Sequence, residues 1–201
     1  MELVSHYYSI EPLNRKRTYR IQATVRNFNI VLYTTSGVFS VRRIDPGTLL
    51  LAETMIIEDG WRVLDLGCGY GVLGIVAAKL APNGIVYMVD INKQAVRLAK
   101  LNAKLNNVKN VKILWGDLYE PVKNKKFDAI VSNPPQAAGL KVLNKLIRDS
   151  LKHLDSGGSL QIVAKHGKGG ARLGNLMKKY FGGVKILARK SGYRVYISRK
   201  Q

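Results

Sequence analysis

The sequence predicts an α/β fold in which one parallel sheet carries helices on both faces. From residue 61 onward, short runs rich in Val, Ile and Tyr alternate with helical stretches, an order typical of parallel sheets with crossover helices. The strand runs are nearly continuously apolar, as expected for strands buried on both faces. The last two runs are separated only by residues 189–192, which predicts an antiparallel hairpin at the edge of the sheet.

The first elements of the chain have a different pattern, and residues 1–60 are predicted to form an extension packed on a main domain at 61–201. Runs at 29–34 and 38–41 flank Thr35-Ser36-Gly37, a pattern typical of a β-hairpin. Asp45-Pro46-Gly47-Thr48 carries the start signals of a helix, which we expect over 46–57.

The main domain is predicted to contain seven strands and four helices. The strands are expected at 61–66, 84–90, 111–115, 127–132, 159–165, 184–188 and 193–198. The helices are expected at 72–80, 93–105, 140–154 and 171–181. In the second helix, Ala95, Leu98, Ala99 and Leu105 recur at helical spacing with basic residues between them, which indicates one buried face.

Basic residues are concentrated near the end of the chain. The net charge is +20 from 33 basic and 13 acidic residues, and residues 139–201 hold 15 basic and two acidic ones. No acidic residue follows Asp155. Like charges at this density repel each other, and a polyanion would relieve that repulsion. The pattern favours a nucleic acid as partner, with an anionic membrane surface as the alternative.

Composition excludes several other classes. No apolar run approaches the roughly 18 residues that a membrane helix needs. The start, Met1-Glu2-Leu3-Val4, does not resemble a signal peptide, so we expect a cytoplasmic protein without a membrane partner. One Cys and three His residues predict neither an internal disulfide nor a metal site.

A glycine-rich loop follows the first predicted strand of the main domain, in the run Asp65-Leu66-Gly67-Cys68-Gly69-Tyr70-Gly71. Glycines allow a tight turn and a close approach of a ligand, and the helix behind them presents free N–H groups. Gly69, Gly71 and Gly74 also match the G-x-G-x-x-G of nicotinamide and flavin nucleotide sites. However, the first glycine after the strand is Gly67, and Asp65 would repel a pyrophosphate. S-Adenosylmethionine, which has an ammonium group and no phosphate, suits the loop better.

Acidic residues also follow the next two strands. Asp90 ends the second strand, where its carboxylate can accept bonds from both ribose hydroxyls of a nucleoside. Asp117 follows the third strand and could accept a bond from the adenine amine. We expect Asp65, Gly67, Cys68, Gly69, Gly71, Asp90, Ile91, Asp117, Leu118 and Asn133 to bind the cofactor.

The fourth strand runs into Asn133-Pro134-Pro135-Gln136. The two prolines stiffen the chain and remove two N–H donors, so carbonyl groups remain at the carboxyl edge of the sheet, where α/β proteins bind ligands. Asn133 Oδ1 and the Pro134 carbonyl can each accept a bond from one planar NH2 group. Asn133, Pro134 and Pro135 are therefore the predicted catalytic residues, and they would turn the amine nitrogen towards an electrophile at the glycine-rich loop.

Together these motifs resemble class I S-adenosylmethionine-dependent methyltransferases. The order and spacing of the glycine-rich loop, Asp90, Asp117-Leu118 and Asn133-Pro134-Pro135 carry the resemblance. The similarity is greatest to the methyltransferase small domain family, which includes small-subunit ribosomal RNA guanine-N2 methyltransferases. It extends to Ser36–Ser40 and Asp45–Thr48, and it implies a Rossmann-like seven-stranded sheet of order 3-2-1-4-5-7-6 with one antiparallel strand. It also implies methyl transfer to an exocyclic base amine.

One departure concerns the substrate base. Family members often have Phe or Tyr after Asn-Pro-Pro, where the ring stacks on the target base, but this chain has Gln136, which can only hydrogen-bond a base edge. Stacking would then require Phe39, Tyr7, Tyr8 or Tyr119. Methylation of a pyrimidine at C5 needs a cysteine nucleophile. The single cysteine, Cys68, lies inside the cofactor loop, so the sequence disfavours this reaction.

The predicted substrate is RNA, with ribosomal RNA favoured over transfer RNA. The substrate-binding residues expected from the sequence are Gln136, Phe39, Tyr7, Arg15, Arg17, Lys165 and Lys168. Two other substrates stay open, namely a glutamine side-chain amide in a translation release factor and an amine of DNA. A non-catalytic RNA-binding protein with a vestigial cofactor pocket is the alternative from another class.

Overall fold

The computed structural model describes residues 17–36, 38, 40, 42–135 and 139–201. A two-stranded antiparallel sheet comes first, formed by β1 (Thr18–Val25) and β2 (Phe28–Thr35). A seven-stranded sheet follows, formed by β3 (Arg62–Leu66), β4 (Ile85–Asp90), β5 (Val111–Trp115), β6 (Phe127–Ser132), β7 (Leu154–Lys165), β8 (Lys185–Lys190) and β9 (Tyr193–Arg199).

The large sheet has the predicted strand order. Its order is β5-β4-β3-β6-β7-β9-β8, which is 3-2-1-4-5-7-6 when the strands are counted from β3. The strands from β5 to β7 pair in parallel, whereas β9 is antiparallel to both of its neighbours. The carboxyl ends of β3, β4, β5, β6 and β7 therefore lie along one edge of the sheet.

Helices cover both faces of this sheet, as predicted. They are α1 (Pro46–Thr54), α2 (Val72–Leu80), α3 (Lys93–Leu105), α4 (Leu140–His153) and α5 (Gly170–Phe181). Alternate residues of each strand enter one of two apolar clusters. Val63 shares a cluster with Leu51 of α1 and Ile75 of α2, whereas the adjacent Leu64 belongs to the cluster that contains Ile147 of α4. None of the described helices is long and apolar enough to cross a membrane.

The predicted N-terminal hairpin is placed wrongly. The turn lies at Arg26 and Asn27, which have φ angles of 49° and 65°, and Val25 pairs directly with Phe28. Two successive positive φ angles are the geometry of the two-residue turn that matches strand twist. The predicted second strand at 38–41 is not formed at Val38 or Ser40, and residues 37, 39 and 41 lie outside the described part of the chain.

The hairpin and α1 pack against the same face of the sheet. Asn102 of α3 donates to the carbonyl oxygens of Tyr33 (2.9 Å) and Tyr70 (2.8 Å), and its Oδ1 accepts from the Tyr33 amide at 2.7 Å. One buried side chain thereby joins β2 to the loop after β3. Helix α1 begins at the predicted residue and ends at Thr54, three residues earlier than predicted, because Met55 has extended backbone angles. Division of the chain at residue 60 stays a prediction.

Candidate active site

A cavity of about 420 Å³ opens at the carboxyl edge of the large sheet. The loops after β3, β4 and β5, the segment after β6, and residues of α1, α2, α3 and α4 line it. This volume is within the range usual for small-molecule sites. Of the predicted cofactor residues, all except Asp65 and Gly71 line the cavity: Gly67, Cys68, Gly69, Asp90, Ile91, Asp117, Leu118 and Asn133.

The loop between β3 and α2 needs its glycines. Gly67, Gly69 and Gly71 have φ angles of 75°, 56° and 99°, a region that side chains with a Cβ rarely adopt. A Cβ on Gly71 would also lie 2.8 Å from Met88 Cε of β4. The amides of Gly67 and Cys68 both donate to the Val89 carbonyl, so the loop is tied to the neighbouring strand.

Asp65 lies beneath this loop and does not line the cavity. It is fully buried, its Oδ2 accepts from the Gly74 amide at 2.8 Å, and its Oδ1 has no partner among the described residues. Burial raises the pKa of Asp65 to about 7; the Gly74 hydrogen bond opposes this rise and the charge of Asp90 adds to it. An unpartnered carboxylate oxygen buried behind the glycine-rich loop fits a cofactor that carries an ammonium group.

Asp90 is held firmly at the cavity wall. Its Oδ2 accepts from the Gly69 amide and its Oδ1 from the Asn92 amide, both at 2.8 Å. Each carboxylate oxygen can accept a further hydrogen bond, so these two bonds orient the group and still leave it able to bind a ligand. The side chain therefore lies where two hydroxyl donors could reach it.

The wall beyond Asp90 is mostly apolar. Ile91 is 67% exposed at the cavity mouth, and the Trp115 indole donates to its carbonyl oxygen at 2.8 Å. Asp117 and Leu118 lie on the same side, with Asp117 3.2 Å from Lys145 Nζ. Both charged groups are about half exposed, so this ion pair contributes little to stability.

Asn133 has both amide protons engaged. Its Nδ2 donates to Asp45 Oδ2 at 2.9 Å and to Thr48 Oγ1 at 2.7 Å, at the start of α1. No described residue donates to its Oδ1, which remains an acceptor beside the cavity. Pro134 and Pro135 line the cavity next to it. The sequence indicated Asp45 and Thr48 as helix start signals and as part of the family resemblance, and no local pattern links them to a residue more than 80 positions away.

Two predicted side-chain roles can be examined in the core. The prediction that Tyr119 could stack on a base is wrong. The residue is 5% exposed, its ring stacks on the His153 ring at 4.5 Å, and its hydroxyl donates to the Leu146 carbonyl. Burial raises the pKa of the Cys68 thiol, which disfavours its use as a nucleophile. Gln136, Phe39, Tyr7, Tyr8 and Arg15 lie outside the described residues.

The remaining predicted substrate residues lie outside the cavity lining. Lys165 ends β7, with its Nζ 5.9 Å from the centre of the Tyr193 ring, and Lys168 is exposed in the short helix His166–Lys168 that follows. Both are at the carboxyl edge that carries the cavity. Arg17 is exposed just before β1. Among the described residues, no group of three or more His, Cys, Asp or Glu side chains could hold a metal ion.

Comparison with known proteins identifies the family. The model of the methyltransferase small domain matches residues 29–197. The chain belongs to this family. It is 33% identical over 199 residues to "Uncharacterized protein YbxB" of Bacillus subtilis (strain 168), covering 97% of this chain and 98% of the relative.

Other relatives are longer proteins. Ribosomal RNA small subunit methyltransferase C of Haemophilus influenzae (strain PittGG) is 35% identical over 172 residues, which is 84% of this chain and 51% of the relative. The T. thermophilus 16S rRNA N2 G1207 methyltransferase, solved with S-adenosylmethionine and guanosine, superimposes with a TM-score of 0.82 and 26% identity over 92% of this chain and 51% of that one. The chain thus spans about half the length of these two relatives.

Family membership confirms the predicted class, an S-adenosylmethionine-dependent methyltransferase, and the predicted cofactor. The predicted Rossmann-like fold is confirmed too. The alternative of a nicotinamide or flavin nucleotide is rejected. A ribosomal RNA substrate agrees with the relatives' names.

Proposed function

We propose that this protein methylates an exocyclic amine of a base in RNA, and that the target is guanine N2 of ribosomal RNA. The proposal rests on the orientation of the Asn133 side-chain amide. Its two N–H groups donate to Asp45 and Thr48, and its Oδ1 is left as an acceptor at the cavity wall. An acceptor here suits a planar NH2 group, which offers two donors. The names of the longer relatives support RNA as the substrate.

Different residues of the cavity would bind different parts of S-adenosylmethionine. Asp90 would accept bonds from the ribose hydroxyls and Asp117 from the adenine amine, while Ile91 and Leu118 would contact the adenine ring. The backbone of Gly67–Gly69 would approach the amino-acid part, near the unpartnered oxygen of Asp65. When bound, the cofactor supplies an electrophilic methyl group.

The protein's part in the reaction is orientation. Asn133 Oδ1 and the Pro134 carbonyl each accept one N–H of the substrate amine, so the nitrogen lone pair points towards the cofactor side of the cavity. Holding both reactants in line lowers the entropic barrier. An exocyclic base amine loses its extra proton readily after transfer, and water can accept it. The base must leave its stack to enter the cavity.

Basic residues at the same edge would bind the RNA backbone. Lys165, Tyr193 and Lys190 lie in one row across β7, β9 and β8, and Arg194 faces Arg189 in the next row. Like charges placed opposite each other destabilise a sheet, and phosphates would relieve this repulsion. In the part of the chain that the structure describes, the ion pairs are Lys145–Asp117 and Arg148–Asp149, so these basic groups have no carboxylate partner there.

The turn of this hairpin lies close to the cavity edge. The His166 amide, just after β7, donates to the Gly192 carbonyl of the β8–β9 turn at 2.8 Å. The turn is therefore at the carboxyl end of β7, the strand next to β6, and Asn133 directly follows β6. Lys165 and Lys168 would contact phosphates near the target base, and Arg15 and Arg17 would contact phosphates as well. A ribosomal RNA substrate would place the enzyme in the cytoplasm.

The substrate class is tested by labelled methyl transfer to separate pools. Total RNA, total DNA and purified translation release factors are each incubated with the protein and methyl-labelled S-adenosylmethionine. We expect the label in RNA. Label in a release factor would support the glutamine amide, label in DNA would support a DNA amine, and cofactor binding without any transfer would support a vestigial pocket.

A further inference from the structure

Three side chains form a closed hydrogen-bonded triangle at the start of α1. Asn133 Nδ2 donates to Asp45 Oδ2 at 2.9 Å and to Thr48 Oγ1 at 2.7 Å. The Thr48 hydroxyl is itself 3.3 Å from Asp45 Oδ2, to which it can donate. The same oxygen accepts from the Thr48 amide at 2.8 Å, which caps the helix. Each contact uses a donor and an acceptor of the right kind.

The chemistry of these groups determines which way the Asn133 amide is turned. A carboxylate only accepts hydrogen bonds, and the Thr48 hydroxyl proton is directed to that carboxylate. A reversed amide would place Oδ1 against Asp45 Oδ2, two acceptors without a proton between them. Asp45 is only 7% exposed, and poorly solvated surroundings make such a mismatch costly. The NH2 group therefore faces α1, and Oδ1 is left for another donor.

The triangle rests on a well-anchored helix. Leu51 and Met55, in the last turn of α1 and just after it, are fully buried. At the other end, a Cβ on Gly47 would lie 2.8 Å from the Tyr193 ring, so the helix start and β9 are in close contact. Tyr193 Oη is also 3.5 Å from Asp45 Oδ1. The partners of Asn133 are thus held from both ends of the helix.

We propose that Asp45 and Thr48 are positioning residues, which hold the Asn133 amide so that Oδ1 accepts the substrate amine. This inference rests on the proposed function, because it assigns Oδ1 to that amine. It gives a reason why the start of α1, which precedes the large sheet in sequence, lies next to Asn133 at the carboxyl edge of that sheet. Thr48 also lines the cavity, but it acts on the reaction by holding the Asn133 amide.

The kinetic test uses Thr48→Val, which keeps the shape of the side chain and removes the acceptor. We expect turnover on RNA to fall at least about tenfold, because small losses of orientation are costly, while the Kd for S-adenosylmethionine and the KM for RNA stay within about twofold. Thr48→Ser should restore turnover. The matched control is Thr54→Val, which removes a hydroxyl bond to Leu50 in the same helix, away from Asn133.

A double variant separates positioning from loss of stability. In an Asn133→Ala background, Thr48→Val should have almost no further effect on residual turnover, because coupled residues are not additive. Equal effects in both backgrounds would overturn the proposal. Asp45→Ser is the second variant, since serine still caps the helix but is too short to keep the contact with Asn133. It should resemble Thr48→Val.

A measurement that does not depend on turnover distinguishes this inference from the proposed function. In nuclear magnetic resonance spectra, the Asn133 side-chain amide protons should exchange slowly with solvent, and one of them should lose protection in Thr48→Val. Fast exchange in the unmodified protein would overturn the positioning role even where RNA is methylated. Slow exchange with no transfer to RNA would overturn the proposed substrate and leave the orientation standing.

Discussion

Asp90 shows how a single carboxylate serves both the loop and the proposed ligand. It joins the glycine-rich loop to the start of α3 through the amides of Gly69 and Asn92. Because these backbone donors leave acceptor capacity on both oxygens, the side chain can hold the loop and a ribose together.

Asp90→Ala should weaken S-adenosylmethionine binding. A lost hydrogen bond to a charged group is worth about 1.5–3 kcal/mol, so the Kd should rise roughly 10- to 100-fold. Isothermal titration calorimetry gives the value directly. The matched control is Asp128→Ala, because Asp128 accepts from the Arg62 amide at the other end of the sheet. Unchanged affinity in Asp90→Ala would contradict the ribose assignment.

Asp65 predicts a pH dependence of stability without bound cofactor. Its pKa is raised from 3.8 to about 7, so between these values the folded state binds more protons than the unfolded one. Its stabilising contribution is complete below about pH 4 and is lost as the pH rises through about 7. Urea unfolding at pH 4.5 and 7.5 should show this loss, on the order of a few kcal/mol, in the unmodified protein and not in Asp65→Asn. Parallel pH curves for the two proteins would contradict the raised pKa.

Among the elements, the hairpin β1–β2 is secured by a polar side chain from α3. Asn102 is fully buried and satisfies three backbone groups, the amide and carbonyl of Tyr33 and the carbonyl of Tyr70. The hairpin therefore depends on α3 as well as on its own strand pairing.

Asn102→Ala should lower the free energy of unfolding by roughly 2–4 kcal/mol, because it leaves buried backbone groups without partners. Urea unfolding followed by circular dichroism measures the change. Lys100→Ala, on the exposed face of the same helix, serves as the control and should stay within about 0.5 kcal/mol. A loss of similar size in both variants would show that the Asn102 contacts are not what secures the hairpin.

These elements also show what local sequence patterns can predict. The strands of the large sheet follow from apolar runs rich in Val, Ile and Tyr, and the helices follow from the stretches between them. Most of the predicted bounds differ by no more than a residue or two from those observed. The N-terminal turn does not follow, because Arg26-Asn27 is not a usual turn pair while Thr35-Ser36-Gly37 contains a glycine. Burial of Tyr119 and the contact of Asn133 with α1 depend on long-range packing, which no local pattern carries.

For the whole molecule, the distribution of charge agrees with the position of the cavity. Residues 31–138, which contain the cavity acids, carry 13 basic and nine acidic residues, whereas the excess positive charge is in residues 139–201. The structure brings part of that excess, including Lys165, Lys168 and Lys190, to the carboxyl edge of the sheet.

RNA affinity should therefore fall steeply with salt. A protein that makes 6–10 phosphate contacts loses roughly 10³- to 10⁵-fold in affinity between 50 and 200 mM salt. Filter binding across this range gives the slope of log affinity against log salt concentration. Lys190→Ala should reduce the magnitude of this slope by about 1, because one phosphate contact is lost. Lys126→Ala, before β6 at the opposite edge, is the control. A flat dependence would contradict a role for the basic edge in RNA binding.

The central claim, that Asn133 presents an RNA base amine for methylation, is tested most directly by identifying the product nucleoside. RNA methylated by the protein is digested to nucleosides and examined by mass spectrometry, in parallel with RNA treated with Asn133→Ala. We expect N2-methylguanosine, formed at least about 100-fold more slowly by the variant although its affinity for S-adenosylmethionine stays nearly intact. A product methylated on carbon or on a ribose oxygen, or equal rates for the two proteins, would contradict the account.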